Sequence, residues 1–284
     1  MLAAGPCNAG PNGHGARDYT WPVSEARPGI HRGFRDVDAQ ARSQDFTAYL
    51  QRVAAQMVDE KSAMQDLLEP AVGQRLLDVG CGVGDDVRSL ARRVAPTGSV
   101  VGVDMSGSMI EAAREAAGVS CTEFHVADAH ALPFPDGSFD AARVERTLQH
   151  VAEPARVLAE MVRVVRPGGV LTASEPDWGT LAIDSDDREA TREVVLAISD
   201  GNIRNGWIGR QLAAHFVRLG LESVEIHPVT LVVRSFDMAT DVFGFADVAG
   251  GEWLERMHER DSSGTFFASV TGFTVKARRA GAGT

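Results

Sequence analysis

The chain is poor in lysine: Lys61 and Lys276 are the only two, and every other cationic side chain bar the histidines is an arginine. With 28 lysines and arginines against 39 acids the net charge is −11. That balance argues against a nucleic-acid backbone or an anionic membrane surface as partner. The bias towards arginine, alanine and glycine is that of a GC-rich genome and carries no chemistry. Cysteine is scarce too. Cys7, Cys81 and Cys121 form neither a disulfide framework nor a metal-ligand spacing, so the expected setting is a reducing cytoplasm, with no metal. Long apolar runs are missing: nothing approaches the ~18–20 residues of a membrane span, and the densest run is Leu231-Val232-Val233. The N-terminus lacks the basic and apolar regions of a secretion signal. What is left, 44% hydrophobic and 24% charged, is the make-up of a globular protein able to hold one large α/β domain with a cap.

Residues 1–18, rich in glycine, proline, alanine and asparagine, read as a disordered tail. Residues 19–69 read as an N-terminal helical cap segment. Tyr19, Trp21 and Phe34 stand among turn formers, where they can drape over a pocket. Phe46, Tyr49, Leu50, Val53, Met57, Met64 and Leu67 then recur at helical spacing until Pro70 and Gly73. From 70 to 178 strand and helix patterns alternate: strands at 75–79, 99–103, 122–127, 139–144 and 169–174, helices at 85–94, 106–117 and 154–165. Such alternation implies right-handed crossovers and a parallel sheet. Residues 179–221 read as a helical cap, with helices over 187–205 and 209–219. Residues 222–284 complete the sheet with strands at 224–233 and 266–276 on either side of a helix over 238–260.

The stretch Leu76-Leu77-Asp78-Val79-Gly80-Cys81-Gly82-Val83-Gly84 carries most of the information. A short apolar strand ends in an acid and breaks into a glycine-spaced turn that opens a helix. Gly80 and Gly82 allow a sharp turn and a close ligand. A dinucleotide fingerprint would put glycine at 85, where this chain has Asp85 followed by Asp86. Those acids suit the helix dipole but repel a pyrophosphate, so a ligand carrying positive charge fits better. In open α/β sheets ligands sit outside the carboxyl ends of the strands. Acids stand at three successive ends: Asp78, Asp104 and Asp128. One such acid is an ordinary cap or turn former. Three of them beside a glycine loop read as a site.

The glycine loop resembles motif I of the class I S-adenosylmethionine-dependent methyltransferases. The segments Leu132-Pro133-Phe134-Pro135-Asp136-Gly137-Ser138-Phe139-Asp140 and Leu158 to Gly169 resemble signatures of the UbiE-like, ubiquinone/menaquinone type. The resemblance covers about residues 70–178. It implies an α/β fold with a Rossmann-like doubly wound, mostly parallel seven-stranded sheet and helical cap insertions, and S-adenosylmethionine as cofactor. On this resemblance Gly80 and Gly82 pass the methionine portion of the cofactor, with Asp78 counted beside them. Asp104 takes the ribose hydroxyls, a use suited to the paired acceptors of a carboxylate. Met105 packs on the adenine face, and Asp128, with the Ala129 backbone beside it, meets the adenine amino group. The methionine ammonium falls near Glu145 and Arg146, a departure from the small or apolar residues usual there. Arg146 is tolerable beside a sulfonium if it pairs with Glu145 or reaches the cofactor carboxylate.

Asp177 and Trp178 sit where this fold places its acceptor. Asp177, Glu175 and His150 are the candidate general bases, though His150 reads first as part of the helix surface. Trp178, Trp207 and Tyr49 are candidate acceptor contacts, Trp178 reading equally as a core anchor. Arg210 reads as a helix cap or as a contact for an acidic acceptor. The expected reaction is SN2 transfer of the methyl group to oxygen or nitrogen of a small, partly aromatic acceptor in specialised metabolism. The small molecule is the expected partner, and the sequence leaves a homodimer open. The alternatives are a cofactor-binding non-transferase, cyclase-like or regulatory, on the same fold; a macromolecular methyltransferase, which the acidic total disfavours; and an NAD-dependent dehydrogenase, which Asp85-Asp86 disfavours.

Overall fold

The structure, a computed structural model, describes residues 38, 58–116, 118 and 120–281. The tail over 1–18, the aromatics Tyr19, Trp21 and Phe34 and the helical positions from Phe46 to Met57, Tyr49 included, lie outside the described residues. In chain order the elements are α1 (Val58–Leu67), β1 (Arg75–Val79), α2 (Asp85–Val94), β2 (Ser99–Asp104), α3 (Gly107–Glu115), β3 (Thr122–Val126), β4 (Phe139–Glu145), α4 (Pro154–Val164), β5 (Val165–Ile183), α5 (Arg188–Leu196), α6 (Ile208–Arg218), β6 (Glu222–Val233), α7 (Phe236–Phe243), α8 (Gly251–Ser262) and β7 (Ala268–Arg278).

The strands form one seven-stranded sheet in the order β3-β2-β1-β4-β5-β7-β6. Strands β1 to β5 pair in parallel, and β7 runs antiparallel between β5 and β6. The sheet grows outward from β1 through β2 to β3, then returns to β4 on the other side of β1. That reversal opens a crevice at the carboxyl ends of β1 and β4, where such sheets bind ligands.

The inner strands are apolar because both faces are covered. Leu77 and Val79 face a core shared with Val157, Leu158, Met161, Leu212 and Phe216 of α4 and α6. Leu76 faces the opposite layer, where α2 buries Val87, Leu90, Ala91 and Val94. These four positions recur at helical spacing, which makes α2 amphipathic. Acids in its first turn and arginines in its last suit its dipole. Pro154 takes the first position of α4, where its missing N–H costs nothing.

A second core lies beyond the sheet's carboxyl edge. Trp178, Phe236, Phe243, Phe245, Trp253 and Phe266 are buried there with aliphatic residues of α5, β6 and β7. Three expectations for this region change. Strand β5 does not stop at Ser174 but runs 19 residues to Ile183, so it carries the sheet past position 178 and into the cap. Its register against β7 shifts between Asp177 and Ala182. The helix expected over 187–205 ends at Leu196 and continues as one π-helical stretch, Ala197–Asn202. The single helix expected over 238–260 is two: Gly244, at φ 72°, stops α7 in the left-handed region, and a short turn leads into α8.

Phe236 is the hub of the second core. Its ring lies 5.4 Å from Phe266, 6.0 Å from Phe245 and 6.3 Å from Trp253, centre to centre. Phe236→Ala should therefore destabilise the protein by about 3–5 kcal/mol, the range for truncating a buried phenylalanine. A denaturant midpoint unchanged from the wild type would contradict this packing.

Candidate active site

Strand β1 delivers Asp78 and Val79 into the glycine turn. The N–H groups of Gly80 and Cys81 both donate to the Val103 carbonyl, at 2.8 and 3.0 Å. Gly80 has φ 73°, and a Cβ there would lie 2.0 Å from Thr147 Oγ1. Only glycine lets the loop after β4 approach so closely. The Gly82 N–H donates to Asp104 Oδ2 at 2.9 Å, and the Ser106 N–H donates to Asp104 Oδ1 at 2.9 Å. The glycine turn is thus fastened to the end of β2 through Asp104.

Beneath this turn is a buried charge cluster. Arg143, in the middle of β4, lies 3.5 Å from Asp78 and 3.2 Å from Asp86, and pairs with Glu145. Lys61 of α1 reaches Asp86 at 2.5 Å and Glu145 at 3.5 Å, and Arg146 lies 3.4 Å from Glu145. Burial pushes the Asp78 carboxyl up to about 7, with Arg143 opposing. Burial works the same way on Asp86, but Arg143 and Lys61 outweigh it and hold that carboxyl well below the usual range. The repulsion expected from Asp86 is therefore matched inside the protein. Asp85, the other acid of that pair, bonds to Arg88 at 2.6 Å.

The β3 and β4 ends complete the rim. Asp128 accepts from the His130 N–H at 2.9 Å, contacts His130 Nδ1 at 2.6 Å, and is held below its ordinary value by these bonds. Arg146 adopts φ 50°, unusual for a residue other than glycine, with its N–H donating to the Ser174 carbonyl. Glu175 Oε1 then accepts the N–H groups of Thr147 and Leu148, at 2.8 and 2.6 Å. Its Oε2 is buried with no hydrogen-bond partner, and burial pushes the carboxyl up to about 8.

These ends surround a cavity of about 530 Å³. Asp78, Gly80, Gly82, Asp104, Met105, Asp128, Ala129, Arg146, His150, Glu175 and Trp178 all line it. Met105 is 64% exposed and stands at its rim. Two expected residues do not line it. Asp177 is buried on the far side of β5, where Arg210 grips it with two nitrogens, Nη2 donating to Oδ1 at 2.6 Å. Ser174, Glu175, Pro176 and Trp178 line the cavity, and Asp177 alone of this run turns to α6. Trp207 lies on the surface, 43% exposed, its Nε1 donating to Asp200 and its ring under the Arg210 guanidinium at 4.3 Å. Arg210 thus serves an ion pair and a stacked ring. Trp178 lines the cavity and anchors the second core as well, its Nε1 donating to Gln149 Oε1 at 2.7 Å.

Several lining residues escaped the sequence reading. Lys61 and Met64 come from α1, and Val229, Leu231, Val242, Val270 and Gly272 wall the end away from the glycine turn. The alternation along 229, 231 and 233 marked an inward face of β6 without saying what it faced. Among the described residues no cluster of His, Cys, Asp or Glu is arranged to hold a metal ion, and no helix is long and apolar enough to cross a membrane.

Residues 77–173 match the family model described as a methyltransferase domain. An uncharacterised 37.1 kDa protein in transposon Tn4556 of Streptomyces fradiae is 39% identical over 82% of this chain and 71% of its own length. The ubiquinone/menaquinone biosynthesis C-methyltransferase UbiE of Pseudomonas fluorescens Pf0-1 is 30% identical over 75% of this chain and 86% of its own. The chain belongs to the UbiE-like class I S-adenosylmethionine-dependent methyltransferases. The fold agrees: phosphoethanolamine N-methyltransferase 2 of Haemonchus contortus, solved with S-adenosylmethionine, superposes with a TM-score of 0.58 at 16% identity, over 87% of this chain and 60% of its own. S-adenosylmethionine is the cofactor of this methyltransferase, and the donor set fits it. The acids suit a molecule bearing sulfonium and ammonium charges, the lone pairs of Asp104 suit a diol, and Val103, Met109 and Ala129 offer apolar contact to a purine.

Glu175 sets a pH dependence of stability. In the unfolded chain its carboxyl ionises near 4.5, whereas the fold holds the proton to about 8. Between these values the folded state binds the extra proton, so Glu175 lowers stability progressively as pH rises through the window. Glu175→Gln keeps an acceptor for the two N–H groups and removes the titration. The variant should gain stability relative to wild type between pH 5 and 8.5 in denaturant melts. Parallel profiles would contradict the buried neutral carboxyl.

Proposed function

We propose that this methyltransferase moves the methyl group of S-adenosylmethionine to an oxygen or nitrogen of a small, partly aromatic acceptor. The observation that carries this reading is the two-ended lining of one cavity. Asp78, Asp104, Asp128 and Glu145 crowd the end at the glycine turn, while Trp178, Val229, Leu231, Val242 and Val270 wall the other. At about 530 Å³ it falls in the range of roughly 300–1,000 Å³ typical of small-molecule sites. The place in specialised metabolism rests on the GC-rich composition alone.

The cofactor supplies a methyl group already activated by its sulfonium, so the protein's work is to align nucleophile and donor. In this reading Gly80 and Gly82 pass the methionine portion, and Asp78 faces its charge. Asp104 holds the ribose, while Met105, Ala129 and Asp128 hold the adenine. Arg146 is paired with Glu145. For a hydroxyl acceptor a proton must leave as the new bond forms, and His150 and Glu175 line the cavity where it would go. Glu175 carries its own proton below about pH 8, so at neutral pH it serves as donor, and His150 is the base. Asp177, committed to Arg210, is not proposed in this role. The UbiE relatives carry the name C-methyltransferase, which makes an acceptor carbon the second reading.

Incubated with S-adenosylmethionine and a panel of small phenols and amines, the protein should release S-adenosylhomocysteine in step with a methylated product. The carbon shift of the new methyl group separates oxygen, nitrogen and carbon acceptors. Asp104→Ala should weaken cofactor binding tenfold or more by calorimetry. A wild type that does not bind the cofactor would contradict the reading outright.

A further inference from the structure

Arg204 stands out among the cations of the cavity. Lys61 and Arg146 are matched by acids, Lys61 with Asp86 at 2.5 Å and Arg146 with Glu145 at 3.4 Å. Arg204 also lines the cavity, yet forms no hydrogen bond or ion pair with any described residue. Its backbone is nevertheless fixed on both sides. Ile203 before it is buried in the second core. Asn205 after it donates its side-chain amide to the carbonyls of Leu148 and Val151, both at 2.8 Å, and its N–H to the Gln149 carbonyl. Gly206 then packs so tightly on the preceding π-helical stretch that a Cβ would lie 2.0 Å from the Ser199 carbonyl oxygen, and its own carbonyl accepts from the Trp178 N–H. Arg204 is itself exposed, so the constrained loop fixes its backbone at the cavity while its guanidinium stays open to solvent and to a ligand.

The cavity is also electrically polarised. At its glycine-turn end Asp104 and Asp128 stand beside the charge-balanced cluster of Asp78, Asp86 and Glu145, whereas Arg204 lines the same cavity with no acid to match it. An anionic group entering with an acceptor is repelled by the first two and drawn to Arg204. We propose that Arg204 anchors a carboxylate on the methyl acceptor, and that the acceptor is a small carboxylic acid whose apolar body lies against Trp178, Val229, Leu231 and Val242. This rests on the small-molecule reading above and narrows it to a substrate class. The planar guanidinium matches a carboxylate in two parallel hydrogen bonds. With that end fixed, the nucleophilic end of the acid points toward the glycine turn.

Matched pairs test this: 4-hydroxybenzoate against 4-hydroxybenzamide, and indole-3-acetate against indole-3-acetamide. Each is titrated calorimetrically into full-length protein saturated with S-adenosylhomocysteine. The acid should bind at least tenfold more tightly than its amide, with a preference that shrinks as salt is raised. Arg204→Gln should abolish that preference and Arg204→Lys should restore part of it, while S-adenosylhomocysteine binds all three proteins alike and shows them folded. Equal binding of acid and amide, or a preference that survives in Arg204→Gln, would overturn the assignment. Methylation of neutral phenols or amines with acids excluded overturns it alone and leaves the small-molecule reading standing. If no small molecule binds or is methylated, both fall together.

Discussion

Arg143 places a full positive charge in the interior of a parallel sheet, and the glycine-turn end of the cavity is arranged around that fact. A buried guanidinium is tolerable only when carboxylates surround it, and here Asp78, Asp86 and Glu145 do so from β1, α2 and β4. Each of these acids also belongs to the rim of the cavity. The cluster therefore fixes the spacing between the glycine turn and the β4 end. Lys61 extends it to α1, which Gln65 fastens further by donating to Asp86 at 2.9 Å. Breaking the cluster is costly because the charges left behind stay buried.

The other end of the cavity is built by different physics. Strand β5 outruns the parallel sheet and, with β6 and β7, carries the aromatic second core. Trp178 belongs to both worlds, packing into that core and closing the cavity. Its indole N–H, bonded to Gln149, ties the loop after β4 to the cap. The loop of Asn205 and Gly206 is clamped to the same two partners. A polar, charge-balanced end at the glycine turn and an apolar end thus meet at the loop from Thr147 to His150, which takes its shape from Glu175.

Much of the glycine-turn end of the cavity was legible in the sequence because its signals are local. The aliphatic run before Asp78, the glycines after it and the acids at the ends of β2 and β3 each announce themselves within a few residues. The charge cluster was not legible, since Arg143 reads as an ordinary arginine until the strand carrying it is known to be buried on both faces. The apolar end was read less well for a related reason. Ending β5 at Ser174 removed the strand alternation that sends Asp177 and Trp178 to opposite faces. Trp207 stood in a suggestive loop, yet the π-helical stretch before it turns Arg204 to the cavity and leaves Trp207 outside. Val229 and Leu231 come from a strand far along the chain, and only the sheet order brings them opposite Asp104.

The central claim is that the charge cluster around Arg143 holds the glycine turn in its cofactor-binding form. Titration of S-adenosylmethionine into Arg143→Met, alongside a denaturant melt, tests it most directly. Removing one partner of a buried ionic cluster costs about 3–5 kcal/mol, so the variant should melt well below the wild type and bind the cofactor at least tenfold more weakly. A variant with wild-type stability and wild-type affinity for S-adenosylmethionine would contradict the claim.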